Sequence, residues 1–182
     1  RPTNLVHAVQ RLQEIRKYGF EEVASNFIIG MPGDTWNDIL TTFEFADKMV
    51  NHDKLLDYAL FSIATPLPGT EMFETAMNMN FIPKSFKPEN FYGFGKGVIN
   101  TDEWTAEELQ VKRAMEWDRI NFPSNRPEHH EKIAKMLGIT MEELKVWRKE
   151  TRQSAGVEVK SADKTDEQIY GTDERSKKFF EE

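Results

Sequence analysis

The residues best placed to do chemistry lie in two short proline- and glycine-bearing segments, Gly30-Met31-Pro32-Gly33-Asp34-Thr35 and Thr65-Pro66-Leu67-Pro68-Gly69-Thr70. Each follows an apolar run and precedes a helical pattern. Glycine admits backbone angles that a Cβ opposes, and proline stiffens the turn. Main-chain groups in such a turn can approach a ligand closely at a strand end, which is where open α/β sheets and barrels bind theirs. A plain tight turn is the competing reading. Side chains suited to acid, base or ligand roles are sparse. His7 has no second ligand near it in sequence, and His129-His130 are adjacent rather than four apart, poor geometry for two ligands on one helix face. Both sites read as surface histidines. Arg113 and Arg119 could reach an anionic substrate, but ion pairs with neighbouring glutamates are the cheaper explanation. There is no cysteine, which removes disulfides and thiolate metal sites.

The elements that must position these segments follow from periodicity. Val23 to Ile29 is apolar, aromatic and β-branched, and its unbroken Phe27–Ile29 run suits a strand covered on both faces. Asp57 to Ala64 reads as a second strand. Between them, Trp36, Ile39, Leu40, Phe43, Ala46 and Val50 recur at helical spacing, after a Thr35–Asp38 capping box. The result is a βαβ unit with a right-handed crossover. Asn4 to Tyr18 forms an amphipathic helix with Leu5, Ala8, Val9, Leu12 and Ile15 on one face, and Glu71 to Met79 forms another. Asn78 to Gly97 loses periodicity. Its aromatics Phe81, Phe86, Phe91, Tyr92 and Phe94 suit a loop over an apolar surface, and Phe91 to Gly95 could instead line a substrate cavity. A Thr105–Glu108 capping box opens a helix to about Asn121, with Trp104, Leu109, Met115, Trp117 and Ile120 on its buried side. After a break at Pro123 to Pro127, Ala134, Gly138, Thr140, Leu144 and Trp147 outline a helix-turn-helix. DNA recognition through Lys145, Arg148 and Lys149 is one reading. The near balance of glutamates and basic residues favours a packing hairpin instead.

At this spacing, Asn26-Phe27-Ile28-Ile29-Gly30-Met31-Pro32-Gly33-Asp34-Thr35, a helix, then Asp57 to Thr70 closely resembles the last two barrel strands of radical S-adenosylmethionine enzymes. Thr65 to Thr70 resembles most the branch that often carries an N-terminal cobalamin-binding domain. The resemblance implies an α/β fold: the C-terminal portion of a partial (βα) TIM-like barrel, about two parallel strands with flanking helices, followed by an α-helical extension. The resemblance covers roughly Arg1 to Ile82; with the patterns read above, the chain divides into barrel (1–100), helical extension with a hairpin (101–150) and a polar, mobile tail (151–182). The resemblance also implies S-adenosylmethionine and a [4Fe-4S] cluster as cofactors of the full-length parent, cobalamin in part of the branch, and a small-molecule substrate. The reaction would be radical C–H activation such as methyl transfer or rearrangement, in the cytoplasm, where the cluster stays reduced. Position by position, Asn26, Ile28, Gly30, Ala64, Thr65 and Pro66 match the adenosine side of the cofactor site, Ile28 packing the adenine. No catalytic residue or metal ligand is implied here. The Cys-x3-Cys-x2-Cys loop of the family is missing, and the sequence opens at Arg1 inside a late barrel helix. The simplest account is a C-terminal portion without its cluster-binding half, inactive alone. Asn26 also stands where the family often has glycine, and Gly33-Asp34 replaces a glutamate that sometimes closes the motif.

Composition bounds the alternatives. The 182 residues carry net charge −7, which argues against general affinity for nucleic acid or anionic membranes. No apolar run is long enough to cross a bilayer, and no signal-peptide pattern is present. A non-catalytic scaffold keeping half a barrel is the main competing function, and a helix-turn-helix binder through residues 128–150 the other. Half a barrel also leaves open edges and apolar faces. The chain is therefore expected to self-associate through a strand edge or the barrel-facing side of Phe27, Ile29, Phe61 and Ile63, or to fold its C-terminal helices and aromatic loop over them.

Overall fold

The computed structural model describes residues 4–83, 86–87 and 96–156. Its order is α1 (Leu5–Lys17), β1 (Ala24–Ile29), α2 (Trp36–Asp47), β2 (Tyr58–Ile63), α3 (Glu71–Asn78), α4 (Ala106–Asn121), α5 (Pro127–Leu137) and α6 (Met141–Ser154). The mixed α/β architecture fits a partial α/β fold, with β1 and β2 parallel and Phe27 opposite Phe61. The Phe91–Gly95 cavity reading and the tail beyond residue 156 lie outside the described residues.

Caps end the helices where the sequence places them. Thr35–Asp38, Thr105–Glu108 and Thr140–Glu143 all form reciprocal capping boxes, each satisfying donors that a helix start leaves free. Gly138 closes α5 in the left-handed region at φ 68°, the conformation that glycine enters at least cost. Helix α2 does not run on regularly to Val50. It widens into a π-helical turn, Lys48–His52, which keeps Met49 and Val50 in the core and lets Asn51 donate to Asp47 and to the Ile120 carbonyl. Helix α1 has no fully buried residue. Val9, Leu12 and Ile15 pack on the core, and Arg16 ties the helix down, donating to the Leu55 carbonyl at 3.1 Å and to Asp57 at 2.6 Å.

The two faces of the sheet have opposite fates. Phe27, Ile29, Phe61 and Ile63 lie under α2, with Phe43 and Phe61 ring centroids 4.9 Å apart and Phe27 stacked on Phe61 at 5.5 Å. Fully burying side chains of this size stabilises by about 1.5–3 kcal/mol each. The expectation that these four face an open barrel interior is therefore corrected. The open face carries Asn26, Ile28, Leu60 and Ser62. Both strands are apolar at both parities around their centres, so alternation alone could not choose the face.

Helix α4 packs beside β2 and closes its outer edge with side chains. Asn121 accepts from the Ala59 N–H and donates to the Ala59 carbonyl, both at 2.8 Å, while Arg113 Nε donates to the Phe61 carbonyl at 2.7 Å. Asn121 thus supplies one donor and one acceptor, as a neighbouring strand would. Of the C-terminal helices, α4 folds back on β2, at its edge rather than over Phe27, Ile29, Phe61 and Ile63. The other edge differs. The Ala64 N–H bonds Ile29 O, so by alternation the main-chain groups of Ala24, Asn26 and Ile28 face away from β2, and no described residue pairs with them.

Buried charge joins α4 to α6. Asp118 is fully buried and takes two bonds from Arg148, at 2.6 and 3.0 Å, and another from Arg152. Breaking such a pair from one side strands an uncompensated charge, at a cost of roughly 3–5 kcal/mol.

Candidate functional site

The carboxyl ends of β1 and β2 lie side by side, as the parallel register requires. Gly30 leaves β1 at φ +75°. Asp34 then closes the turn, its side chain accepting from the Met31 N–H at 2.8 Å and its own N–H donating to the Met31 carbonyl at 3.0 Å. Burial pushes the Asp34 carboxyl above its ordinary pKa, opposed by the Met31 hydrogen bond. Trp104 Nε1 donates to the Asp34 carbonyl at 3.0 Å. Glu103 accepts from the Trp36 N–H at 2.8 Å, so the chain's own carboxylate takes the place at the α2 start that an anionic ligand would favour.

On β2, the Ala64 N–H donates to the Ile29 carbonyl at 2.8 Å, joining the two strand ends. Thr65 is half-buried and its hydroxyl donates to the Ile63 carbonyl at 3.4 Å, while Ala64 and Pro66 are buried. Asn26 and Ile28 stand on the open face, where Ser62 Oγ donates to Asn26 Oδ1 at 3.1 Å. Ile28 is 60% exposed and Leu60 43%. With Met31 and Leu67 at the strand ends also exposed, this is an apolar surface that a flat ring could cover.

Gly30 is buried from the other side. A Cβ there would overlap Leu109 Cδ2, with Trp104 the next neighbour. Close approach at Gly30 is thus made by α4 and the segment before it. Among the described residues no cluster of His, Asp or Glu could hold a metal ion.

The histidine pair is corrected. His129 is 4% exposed with its Nε2 unpartnered, and His130 is half-buried with Nε2 3.0 Å from the Pro123 carbonyl. Helix α5 turns both inward. Burial pushes His129 down to about 4, helped by the nearby Arg126 charge. His7 is exposed, as expected. Arg119 lies between Glu116 and Asp47, the ion-pair reading. In the hairpin, Arg148 is engaged with Asp118 and covers Phe122, and Lys145 pairs with Glu142, which leaves little positive charge for a nucleic-acid surface.

Sequence reasoning missed a cleft of about 260 Å³ between β2, α4 and α6, bounded by Tyr58, Leu60, Arg113, Trp117 and Trp147. Its signal was available only as Tyr58, Arg113 and Trp117 taken separately. Trp117 Nε1 donates to Tyr58 Oη at 2.8 Å, and burial raises the Tyr58 hydroxyl to about 12, so it stays protonated.

No helix among the described residues is long and apolar enough to cross a membrane. Comparison with known families and with solved structures returns no match. Over 75 residues, 41% of this chain, the sequence is 36% identical to an uncharacterized methyltransferase of Pyrococcus horikoshii. The matched stretch is 15% of that protein's length. The similarity is to a protein of methyltransferase type, over a minor part of each chain.

Proposed function

We propose that this chain is the C-terminal part of a radical S-adenosylmethionine enzyme of methyl-transfer type, supplying the adenosine side of the cofactor site. The observation that carries the reading is the parallel βαβ unit whose two strand ends meet at Gly30 and Ala64, beside the exposed Ile28. The partial match to a methyltransferase supports it. Ile28, with the Ala64–Pro66 main chain, would pack and align the adenine. The cluster and its reductive chemistry must come from residues outside this chain, which has no cysteine. The protein's part is orientation and exclusion of water.

One observation favours a second reading, a non-catalytic scaffold keeping half a barrel: Leu109 and Trp104 fill the room above Gly30. The upstream reading frame and an activity assay separate the two. A Cys-x3-Cys-x2-Cys run ahead of Arg1 is expected, as is 5′-deoxyadenosine formation by the reconstituted parent and none by this chain alone. A parent lacking that run, or one that forms no 5′-deoxyadenosine with its cluster loaded, overturns the enzyme reading.

A further inference from the structure

Helix α4 carries three cations that α/β packing draws inward, and two of them are neutralised. Lys112 bonds Glu116 at 2.9 Å, and Arg119 lies between Glu116 and Asp47. Arg113 differs. Its Nε is held by the Phe61 carbonyl at 2.7 Å, and no carboxylate among the described residues pairs with it. The guanidinium lines the cleft between β2, α4 and α6, where Lys96 adds a second cation and, among the described residues, no acidic side chain lines the cleft with them. This lining is cationic in a chain of net charge −7. A half-buried cation without a counter-charge is costly, and Arg keeps its proton rather than neutralise. Among the described residues the arrangement lacks an anion.

The rest of the cleft describes what the anion is attached to. Tyr58 Oη already accepts from Trp117 Nε1, so its hydroxyl hydrogen is left to donate, with no acceptor among the described residues. Trp117 and Trp147 meet edge to face at 5.0 Å and, with Leu60, form flat apolar walls. Aromatic walls favour a planar ring, and Arg's fork matches a carboxylate with two parallel bonds. The volume of about 260 Å³ is near the lower limit for small-molecule sites, which run from about 300 Å³ upward.

We propose that this cleft binds a small single-ring aromatic carboxylate, its carboxylate on Arg113, Lys96 and the Tyr58 hydroxyl and its ring against Trp147 and Leu60. The inference is independent of the adenosine-side reading, because none of Asn26, Ile28, Gly30, Ala64, Thr65 and Pro66 lines this cleft, and only Leu60 borders both surfaces.

The test is a titration of the full chain with benzoate, followed through the indole N–H signals of Trp117 and Trp147 by nitrogen–proton NMR. Benzamide serves as the neutral isostere, acetate as the ringless anion and inorganic phosphate as a second anion. Saturable shifts with benzoate are expected, with benzamide and acetate each at least about tenfold weaker, the scale of one lost charged or apolar contact set. Lys96→Met, at an exposed position, should weaken benzoate by a few-fold while leaving the spectrum folded. Arg113→Met should remove saturable binding. If Arg113→Met unfolds, Lys96→Met and the benzoate–benzamide contrast still decide. Equal shifts from benzoate and benzamide, an unchanged benzoate titration in Lys96→Met, or phosphate binding as tightly as benzoate would each overturn the assignment.

Discussion

Asn121 gives the sharpest test of how this fold ends its sheet. Its carboxamide is fully buried, accepts from the Ala59 N–H and donates to the Ala59 and Trp117 carbonyls. Replacing it by Leu keeps an apolar side chain in the space but leaves the outward N–H and C=O of Ala59 without partners. Each unmade bond to a buried group costs about 1–3 kcal/mol. Taking about 1.5 kcal/mol for each of the two Ala59 groups gives about 3 kcal/mol. The Trp117 carbonyl sits within α4 and keeps its helical partner, so it is left out. At a urea dependence of about 2 kcal/mol per molar, the unfolding midpoint should fall by about 1.5 M. Hydrogen exchange at the Ala59 amide should quicken in Asn121→Leu more than at amides in α5. Asn121→Ala adds a cavity and should cost more. If Asn121→Leu stays within about 0.5 kcal/mol of the parent, roughly the ordinary surface-substitution range, the side chain does not stand in for a strand.

Two further expectations follow from buried groups. His129 is held near pKa 4 in the fold against 6.5 when free, so the unfolded chain binds the proton that the folded chain refuses. Stability should therefore fall as pH drops from 6.5 towards 4, by at most about 3 kcal/mol, and flatten below. The charged groups around it are Asp57, Arg126, Lys132 and His130, with Arg16, Lys54 and Glu128 lining the same hollow. Asp57 is pushed up by burial, but the bonds from Lys132, Val23 and Arg16 outweigh this and hold it low, so its loss begins only in more acid solution. Urea midpoints should show a shallower slope in His129→Leu, and an unchanged slope would remove His129 as the cause. Gly30→Ala combines a positive φ with overlap on Leu109, together about 2–4 kcal/mol. Gly33→Ala, at φ +99° with nothing within 4 Å, carries only the backbone strain, and equal thermal shifts for the two would refute the Leu109 contact.

The helices and the βαβ order were legible because their signals are local. Thr35, Thr105 and Thr140 each face an acidic residue three positions on, and Gly138 ends α5 in sequence as in space. What escaped depends on contacts distant in the chain. Ile28 and Ile29 are chemically alike, yet one is 60% exposed and the other 1%, because α2 covers a single face. Helix α4 hides its role most thoroughly. Eleven of its sixteen residues are buried, among them Lys112, Glu116, Asp118 and Asn121, so its polar residues read as a solvated face when they are internal partners. Arg113 and Arg119 look equivalent in sequence, yet Arg119 reaches Glu116 and Asp47 while Arg113 reaches the Phe61 carbonyl. The two proline-glycine segments were visible as turns, but Leu109 above Gly30 was not, since nothing in the turn announces a helix that arrives seventy-odd residues later.

The unequal edges of the sheet constrain how copies of this chain could join. A filament grows when one molecule's left side fits the next molecule's right side, and repetition has no end. Here Asn121 and Arg113 block one side with their own bonds to Ala59 and Phe61, leaving, among the described residues, only the row of Ala24, Asn26 and Ile28. A strand joint must then use that row twice, across a two-fold axis, and a two-fold joint is complete with its second member. The side chains that finish the fold also deny its two described strands the geometry of a fibre.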